Sequence, residues 1–138
     1  MSTSMPHLPF ALLLAAALGV ALSGCAGQAD YPVFDREQTA DDLLPHGATI
    51  DTEIYDLSST RAAGSADDAE FFLVKNADMD AGPCLVIVAA GEAAVGCAGS
   101  GLVLEYGGVK AALAPKGEPA GEYKGWTRVS DYVTVQDR

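Results

Sequence analysis

The sequence predicts a mainly β fold, either a small antiparallel meander or an open barrel, with one short N-terminal helix; an α+β fold is the alternative. Three observations predict it. From residue 58 onward, short runs of β-branched, aromatic and other apolar residues follow one another. Clusters of Gly, Pro, Asp and Ser separate these runs, as turns separate strands. The runs are closely spaced, which is typical of an antiparallel meander.

A short helix is predicted at the start of this domain. Asp35 and Gln38 have the spacing of a capping box, in which side chains satisfy the free N–H groups of a first helical turn. The helix would extend to Leu44 and stop at Pro45 and Gly47. The next segment is open between helix and extended chain, because apolar residues at helical spacing lie among Thr, Ser and Asp. These apolar residues are Ile50, Ile54 and Leu57.

Six runs are predicted strands: 70–75, 84–89, 93–98, 102–106, 109–113 and 126–135. The run 84–89 is apolar on both faces, which predicts a central strand covered on two sides. Gly107 and Gly108 give the strongest hairpin signal, because a tight turn needs positive φ. The last run alternates between an apolar face and a mixed face. The residues are Val129, Val133 and Val135 on one face, and Trp126, Arg128, Ser130, Tyr132 and Thr134 on the other.

The N-terminal residues have the pattern of an export signal. Residues 10–22 form an uninterrupted apolar run of thirteen residues. A membrane-spanning helix needs about 20 such residues, so this length is typical of a signal peptide, and small residues follow at the cleavage side. The stretch Leu22-Ser23-Gly24-Cys25 resembles the lipobox of bacterial lipoproteins. A secretory signal with a different cleavage site and a buried helix of the mature fold are the alternatives.

The resemblance implies how the chain is processed and where it lies. In lipoproteins the lipobox cysteine receives a diacylglyceryl group, with fatty acids such as palmitate, and becomes the first residue after cleavage. Here this implies a signal peptide over 1–24, a lipidated tether over 25–33 that begins at Cys25, and one strand-rich domain over 34–138 outside the cell membrane. The mature part is also similar in size, acidity and strand content to small, mostly uncharacterised lipoproteins of high-G+C Gram-positive bacteria. That likeness implies no activity.

The remaining cysteines predict one disulfide. With Cys25 assigned to the lipid, Cys84 and Cys97 are an even pair in an oxidising compartment. If Ala90 and Gly91 form the turn between the runs 84–89 and 93–98, residues whose numbers sum to 181 face each other, and the two cysteines are such a pair. A reactive or metal-binding dithiol is the alternative, although the CxxC spacing and nearby histidines of such sites are missing.

The charge balance excludes one class of partner. Nineteen acidic residues against eight basic ones give a net charge of −11. Nucleic acid is therefore excluded, because no basic patch is present to replace its counterions. Residues 26–70 carry eleven of the acidic residues and only two basic ones. This half of the mature chain would be repelled by anionic lipid headgroups and held off the membrane surface.

Three motifs are candidates for chemistry, and each has a simpler interpretation. His46 is the one histidine outside the signal peptide and lies in a predicted turn, which favours a solvated side chain over an acid–base catalyst. Residues 78–82 resemble a calcium loop only loosely, because the glycine comes early and the closing Glu is missing. Residues 99–101 lack the nucleophile-elbow pattern. We therefore expect no catalytic residue, no metal and no cofactor.

An aromatic patch with one arginine is the strongest candidate for an interaction. Such residues are enriched at binding hot spots, although Trp and Tyr in a strand also pack against neighbouring elements. The patch consists of Tyr123, Trp126, Arg128 and Tyr132. We expect a lipid-anchored extracytoplasmic binding or interaction module of the cell envelope, not an enzyme, with an unknown protein or small-molecule partner. A small envelope hydrolase that uses His46 and a solute-capture subunit of an importer are the alternatives.

Overall fold

The computed structural model describes residues 31–78, 82–97, 101–116 and 124–138. Their strands form two four-stranded antiparallel sheets, which confirms the predicted mainly β fold, and these strands do not close into a barrel. Sheet A has the order β1-β2-β3-β4, with β1 at Tyr55–Ala66, β2 at Ala69–Asn76, β3 at Pro83–Ala89 and β4 at Glu92–Cys97. Sheet B has the order β5-β6-β8-β7, with β5 at Leu102–Tyr106, β6 at Val109–Leu113, β7 at Trp126–Arg128 and β8 at Val133–Gln136.

The main core lies between the two sheets. Strands β2 and β3 turn alternate side chains toward sheet B, and these are fully buried: Phe71, Leu73, Leu85 and Ile87. Sheet B contributes Val109, Ala111, Leu113, Val133 and Val135 to the same core. Because successive side chains of a strand point to opposite faces, the remaining residues of β2 and β3 point to the outer side of sheet A.

A second core covers the outer face of sheet A. The buried residues of this face are Phe72, Val74, Cys84, Val86 and Val88. The segment 44–50 packs on them through Leu44, Ala48 and Ile50. Strand β3 is therefore buried on both faces, as its continuous apolar run predicts. The stretch from 50 to 57, which the sequence left open, makes a turn at 52–54 and then enters β1.

The register of β3 and β4 places Cys84 opposite Cys97, and the two form a disulfide. Their Cα atoms are 4.1 Å apart. The predicted pairing is confirmed beyond the cysteines, since Leu85 faces Gly96 on the same ladder. The cystine lies in the second core and joins the edge strand β4 to the interior strand β3.

The N-terminal segment forms two 3₁₀ turns, Pro32–Asp35 and Ala40–Asp42, in place of the one continuous helix predicted. A capping box does form, but between Thr39 and Asp42. The physical reason is a bond between distant residues. The Asp42 carboxylate accepts the N–H of Ala62 in β1 at 2.8 Å and holds this segment along the strand. Among the residues that the structure describes, no helix is long and apolar enough to cross a membrane.

The run 126–135 is a hairpin rather than the single strand predicted. Strands β7 and β8 pair antiparallel, and the N–H of Val129 donates to the carbonyl of Val133 at 2.9 Å between them. The Ser130 hydroxyl accepts the N–H groups of Tyr132 and Val133, which closes the turn. Val129, Val133 and Val135 pack in the same core although the chain reverses between Val129 and Val133. The alternating sequence therefore looks like one continuous strand.

Three tight turns gather at one end of the molecule, which we call the hairpin-tip end. Each is a two-residue turn with positive φ at both residues, the geometry that matches twisted strands, at 67–68, 90–91 and 107–108. Only glycine fits at Gly107, since a Cβ there would lie 2.6 Å from the Cβ of Ala89. The turn before Val133 lies at the far end, because Val133 pairs with Leu113 rather than with the start of β6. We call this the Tyr132 end.

Candidate interaction surface

Two of the four predicted patch residues lie on one face of sheet B. Trp126 pairs with Gln136, and Arg128 pairs with Thr134. Paired residues share a face of the sheet. The side chains of these two pairs therefore all point away from the main core. The Trp126 side chain is half-buried and the Arg128 side chain is exposed. Both are accessible to a partner.

Tyr132 belongs to the core, which corrects its assignment to the patch. Its side chain is only 8% exposed. Its ring stacks on that of Tyr31 with centroids 5.5 Å apart, and its hydroxyl accepts the N–H of Val33 at 3.2 Å. The physical reason is the turn at Ser130, which takes Tyr132 off the face that a continuous strand would give it. Tyr123 lies outside the described residues.

The pairing of β5, β6 and β8 adds residues that the patch prediction missed. Val103 lies opposite Ala112, Ala112 lies opposite Thr134, and Glu105 lies opposite Lys110. The available signal is the sequence of β5, in which large core-facing residues stand at alternate positions. We call the shared surface the outer face of sheet B. It consists of Val103, Glu105, Lys110, Ala112, Trp126, Arg128, Thr134 and Gln136.

The outer face of sheet B is buried at its centre and exposed at its margins. Ala112 and Thr134 are buried, whereas the Val103 side chain at one margin is 56% exposed. The Thr134 hydroxyl has no hydrogen-bond partner among the described residues. This is unusual, because buried polar groups are nearly always paired. An unpaired hydroxyl is thus buried at the centre of a face whose margins are exposed.

The charges of this face differ from those of the whole chain. Lys110 stands opposite Glu105, so these two charges balance. Arg128 then leaves the face with one positive charge, on a chain whose net charge is −11. The face is therefore suited to a partner with an acidic group next to an apolar surface.

An ionic cluster around the buried carboxylate of Asp42 joins the N-terminal segment to β1. The Asp42 carboxylate accepts two hydrogen bonds from Arg36 at 2.6 and 2.7 Å, and it also accepts the N–H groups of Thr39 and Ala62 at 2.8 Å. The Arg36 guanidinium, assisted by these N–H groups, holds the pKa of Asp42 well below its usual range, although burial acts in the opposite direction. Both carboxylate oxygens of Asp42 accept hydrogen bonds from other residues of the domain, which indicates a structural role.

Arg61 is buried beside this cluster without a carboxylate partner among the described residues. Its guanidinium donates to the carbonyl groups of Ser58, Thr60 and Arg36 at 3.1, 2.8 and 2.7 Å. Its Nε has no partner within the described parts of the chain. Backbone carbonyl groups therefore accept the hydrogen bonds of the Arg61 guanidinium. The bond to the Arg36 carbonyl is a second connection between the N-terminal segment and β1.

A cavity of about 320 Å³ lies at the hairpin-tip end. Its charged lining consists of Asp67, Asp68, Glu92 and Arg138. The Arg138 guanidinium lies 3.8 Å from the Asp67 carboxylate, and the Tyr106 hydroxyl donates to Glu92 at 3.1 Å. Burial, followed by this hydrogen bond, raises the pKa of Tyr106. The charged groups are exposed and several already contact one another.

The other candidates for chemistry are not brought together. His46 is exposed in the predicted turn, which is closed by a bond from the N–H of Ala48 to the carbonyl of Pro45 at 3.0 Å. Its ring makes no hydrogen bond or ion pair within the described residues. Cys25 and most of the segments 78–82 and 99–101 lie outside them. The described ranges, 31–78, 82–97, 101–116 and 124–138, contain no group of three or more His, Cys, Asp or Glu residues that could hold a metal.

Comparison with family models, with curated proteins and with solved structures finds no match to this chain. Function therefore has to be inferred from the residues of this chain alone. The outer face of sheet B, the cavity at the hairpin-tip end and the exposed His46 are the three sites on which such an inference can be based.

Proposed function

We propose that this protein is a lipid-anchored extracytoplasmic interaction module of the cell envelope, without catalysis of its own, that binds a protein partner through the outer face of sheet B. One observation carries the choice of surface. The chain covers the outer face of sheet A with its own segment 44–50, whereas no described segment forms a comparable core on sheet B. The lipobox ending at Cys25 supports the anchor and the location.

The side chains of this face supply the groups that bind proteins well. Trp126 offers a large apolar surface with an N–H donor, and Arg128 offers a planar fork that suits a carboxylate. Trp, Tyr and Arg dominate the residues that lose most binding energy when truncated.

The dimensions of the face support a transient partner. Four strands about 4.8 Å apart give a width of about 14 Å, and strands of three to five residues give a length of at most about 17 Å. A standard protein interface buries about 800 Å² on each partner. The face alone covers less than half of that area, so it fits a weak or regulated contact better than a permanent assembly.

The two alternatives have weaker support. A solute-capture site normally encloses most of its ligand, whereas the cavity at the hairpin-tip end is lined by exposed groups that already pair, such as Arg138 with Asp67. A hydrolase would need His46 beside a nucleophile or an orienting carboxylate. The described residues place no such group in contact with it.

Site-specific photocrosslinking in intact cells tests the proposal. A photoreactive residue at Val103 or Arg128 should join the protein to one discrete partner. The matched control is Leu43, which is apolar and 57% exposed, against 56% for Val103, but lies outside sheet B. The proposal fails if Leu43 gives the same adduct as Val103, or if neither position on the face gives any adduct.

Substitution then measures the contribution of the face. Trp126→Ala should weaken binding to the crosslinked partner at least about tenfold, which corresponds to about 1.4 kcal/mol. Arg128→Ala should weaken it less and should leave the domain folded, because the Arg128 side chain is exposed. Full binding by a folded Arg128→Ala and a folded Trp126→Ala variant would exclude this face as the site.

A further inference from the structure

We propose that the anchored domain stands end-on at the membrane, with the Tyr132 end facing the lipid bilayer and the hairpin-tip end pointing outward. This inference rests on the lipid attachment at Cys25 proposed above. It goes beyond that proposal by specifying which surface of the domain lies against the lipid and which surface faces the rest of the envelope. Three features carry it: the docked N-terminal residues, the length of the tether and the charge of the hairpin-tip end.

The first described residues are fixed to the Tyr132 end of the domain. The ring of Tyr31 stacks on Tyr132, and the N–H of Val33 donates to the Tyr132 hydroxyl. The Phe34 ring lies under the Lys75 ammonium, 5.1 Å from nitrogen to ring centroid. Lys75 is the next-to-last residue of β2, at the end of that strand away from the turn at 67–68. The chain therefore enters the domain at the end opposite the hairpin tips.

The tether is too short to let the domain invert. Only five residues, 26–30, separate Cys25 from Tyr31. Fully extended, the six Cα–Cα steps reach at most about 21 Å. The eight residues of β2 extend about 26 Å from the Tyr132 end to the tips. Because even the fully extended tether is shorter than this distance, an inverted domain would have to push its tips into the bilayer.

Charge also opposes contact of the hairpin tips with an anionic lipid surface. Asp67, Asp68 and Glu92 bring three carboxylates to the hairpin-tip end, against one guanidinium from Arg138. Anionic headgroups repel such a surface within a Debye length of about 10 Å. The short tether and the charge of the tips therefore favour the same upright arrangement.

The upright arrangement determines what each surface can reach. The strands run roughly along the membrane normal, so the outer face of sheet B stands perpendicular to the lipid and is open to a partner that approaches from the side. The cavity between the hairpin tips faces outward, far from the anchor. The Tyr132 end, with the exposed Lys116 and Asp131 pair, is the surface that adjoins the headgroups.

Depth-dependent fluorescence quenching tests the orientation. The lipidated protein, carrying a fluorophore on a non-natural residue, is inserted into phosphatidylcholine vesicles that contain some phosphatidylglycerol and a headgroup-nitroxide lipid. The label replaces Asp131 at the Tyr132 end or Glu70 next to the hairpin tips, two exposed acidic residues. We expect the label at 131 to be quenched severalfold more strongly. Equal quenching at both positions, or stronger quenching at 70, overturns the orientation.

Flotation of the same samples separates this inference from the anchor itself. Protein that floats with the vesicles but quenches equally at both positions overturns the orientation alone. Protein that stays in the soluble fraction overturns the anchor and the orientation together. A Gly/Ser insertion of about fifteen residues after Ala29 raises the maximum reach of the tether to about 74 Å, and it should remove most of the quenching difference. An unchanged difference would show that the tether does not set the orientation.

Discussion

The two sheets of this protein differ in what lies on their outer faces. Sheet A is covered on its outer side by the segment 44–50 and carries the Cys84–Cys97 disulfide within that second core. Sheet B has a buried inner face but exposes Val103 and Arg128 on its outer margins. The segment 44–50 thus closes the outer face of sheet A, whereas no segment among the described residues forms such a core on sheet B.

The difference is already present in the strand sequences. Every residue from Cys84 to Val88 is buried, and the sequence there is continuously apolar. In β5 the residues alternate between half-buried and exposed, and Glu105 lies on the exposed side. A strand buried on two faces needs apolar residues throughout, whereas a strand with one open face can alternate. The pattern of a strand therefore indicates which sheet face has to be covered.

Removal of the disulfide should have the largest effect on this comparison. The pair Cys84→Ala and Cys97→Ala opens a loop with a sequence separation of 13, which should lower the free energy of unfolding by about 3 kcal/mol. Urea unfolding, followed by circular dichroism and by the fluorescence of Trp126, measures it. Because Trp126 is the one tryptophan and lies in sheet B, it reports whether sheet B unfolds together with sheet A.

The control for this variant is the wild-type protein under reducing conditions, which should lose the same stability. If reductant leaves the urea midpoint unchanged, the disulfide does not stabilise sheet A. If circular dichroism and Trp126 fluorescence give different urea midpoints in the variant but the same midpoint in the wild type, the disulfide couples the two sheets as well as stabilising sheet A.

Paired truncations of valine should give the next largest effect. Val86 is fully buried in the second core, so Val86→Ala should lower the free energy of unfolding by about 2 kcal/mol through lost burial and a residual cavity. Val103→Ala on the outer face of sheet B should change it by about 0.5 kcal/mol or less. Urea unfolding of both variants measures the contrast. Equal losses would mean that the outer face of sheet B is as closed as that of sheet A.

Acid should produce the smallest of the three effects, and it acts at Asp42, just before the segment 44–50 that covers sheet A. The pKa of Asp42 is lowered in the folded protein, so its contribution to stability is present above the unfolded pKa of about 3.9 and is lost as the pH falls toward the folded value. Between pH 7 and pH 3 this loss should be about 1 kcal/mol.

Two neighbouring substitutions isolate this contribution. Asp42→Asn should remove it, so the difference in unfolding free energy between wild type and variant should shrink as the pH falls to 3. Asp41→Asn, at the exposed adjacent residue, should keep the pH dependence of the wild type. A constant difference for Asp42→Asn across this pH range would contradict the ionic cluster with Arg36.

Local features of the fold were predictable from the sequence, whereas features that depend on distant contacts were not. The register of β3 and β4 follows from a two-residue turn at 90–91, so the pairing of Cys84 with Cys97 could be derived from numbering alone. The N-terminal helix was predicted from a capping box. It gives way to two 3₁₀ turns because Asp42 bonds to Ala62, twenty residues further on.

In the candidate site, too, local relations were predictable from the sequence and distant contacts were not. Alternation correctly placed Trp126 and Arg128 on one face, because that relation is local to a strand. It wrongly placed Tyr132 with them, because the position of Tyr132 depends on the turn at Ser130 and on a ring contact with Tyr31, about a hundred residues away. The sequence pattern does not delineate strand β1 either. Its register shifts twice against β2, and Arg61 is buried in it.

The position of the segment 31–50 has a consequence for biogenesis. Its partners are Ala62 in β1, Val86 in β3 and Tyr132 beyond β7, all of which are synthesised later. Under the proposed export and anchoring, the N-terminal part would emerge before any surface exists for it to pack on. This delay would keep the residues around Cys25 accessible to the enzymes that acylate and cleave the precursor.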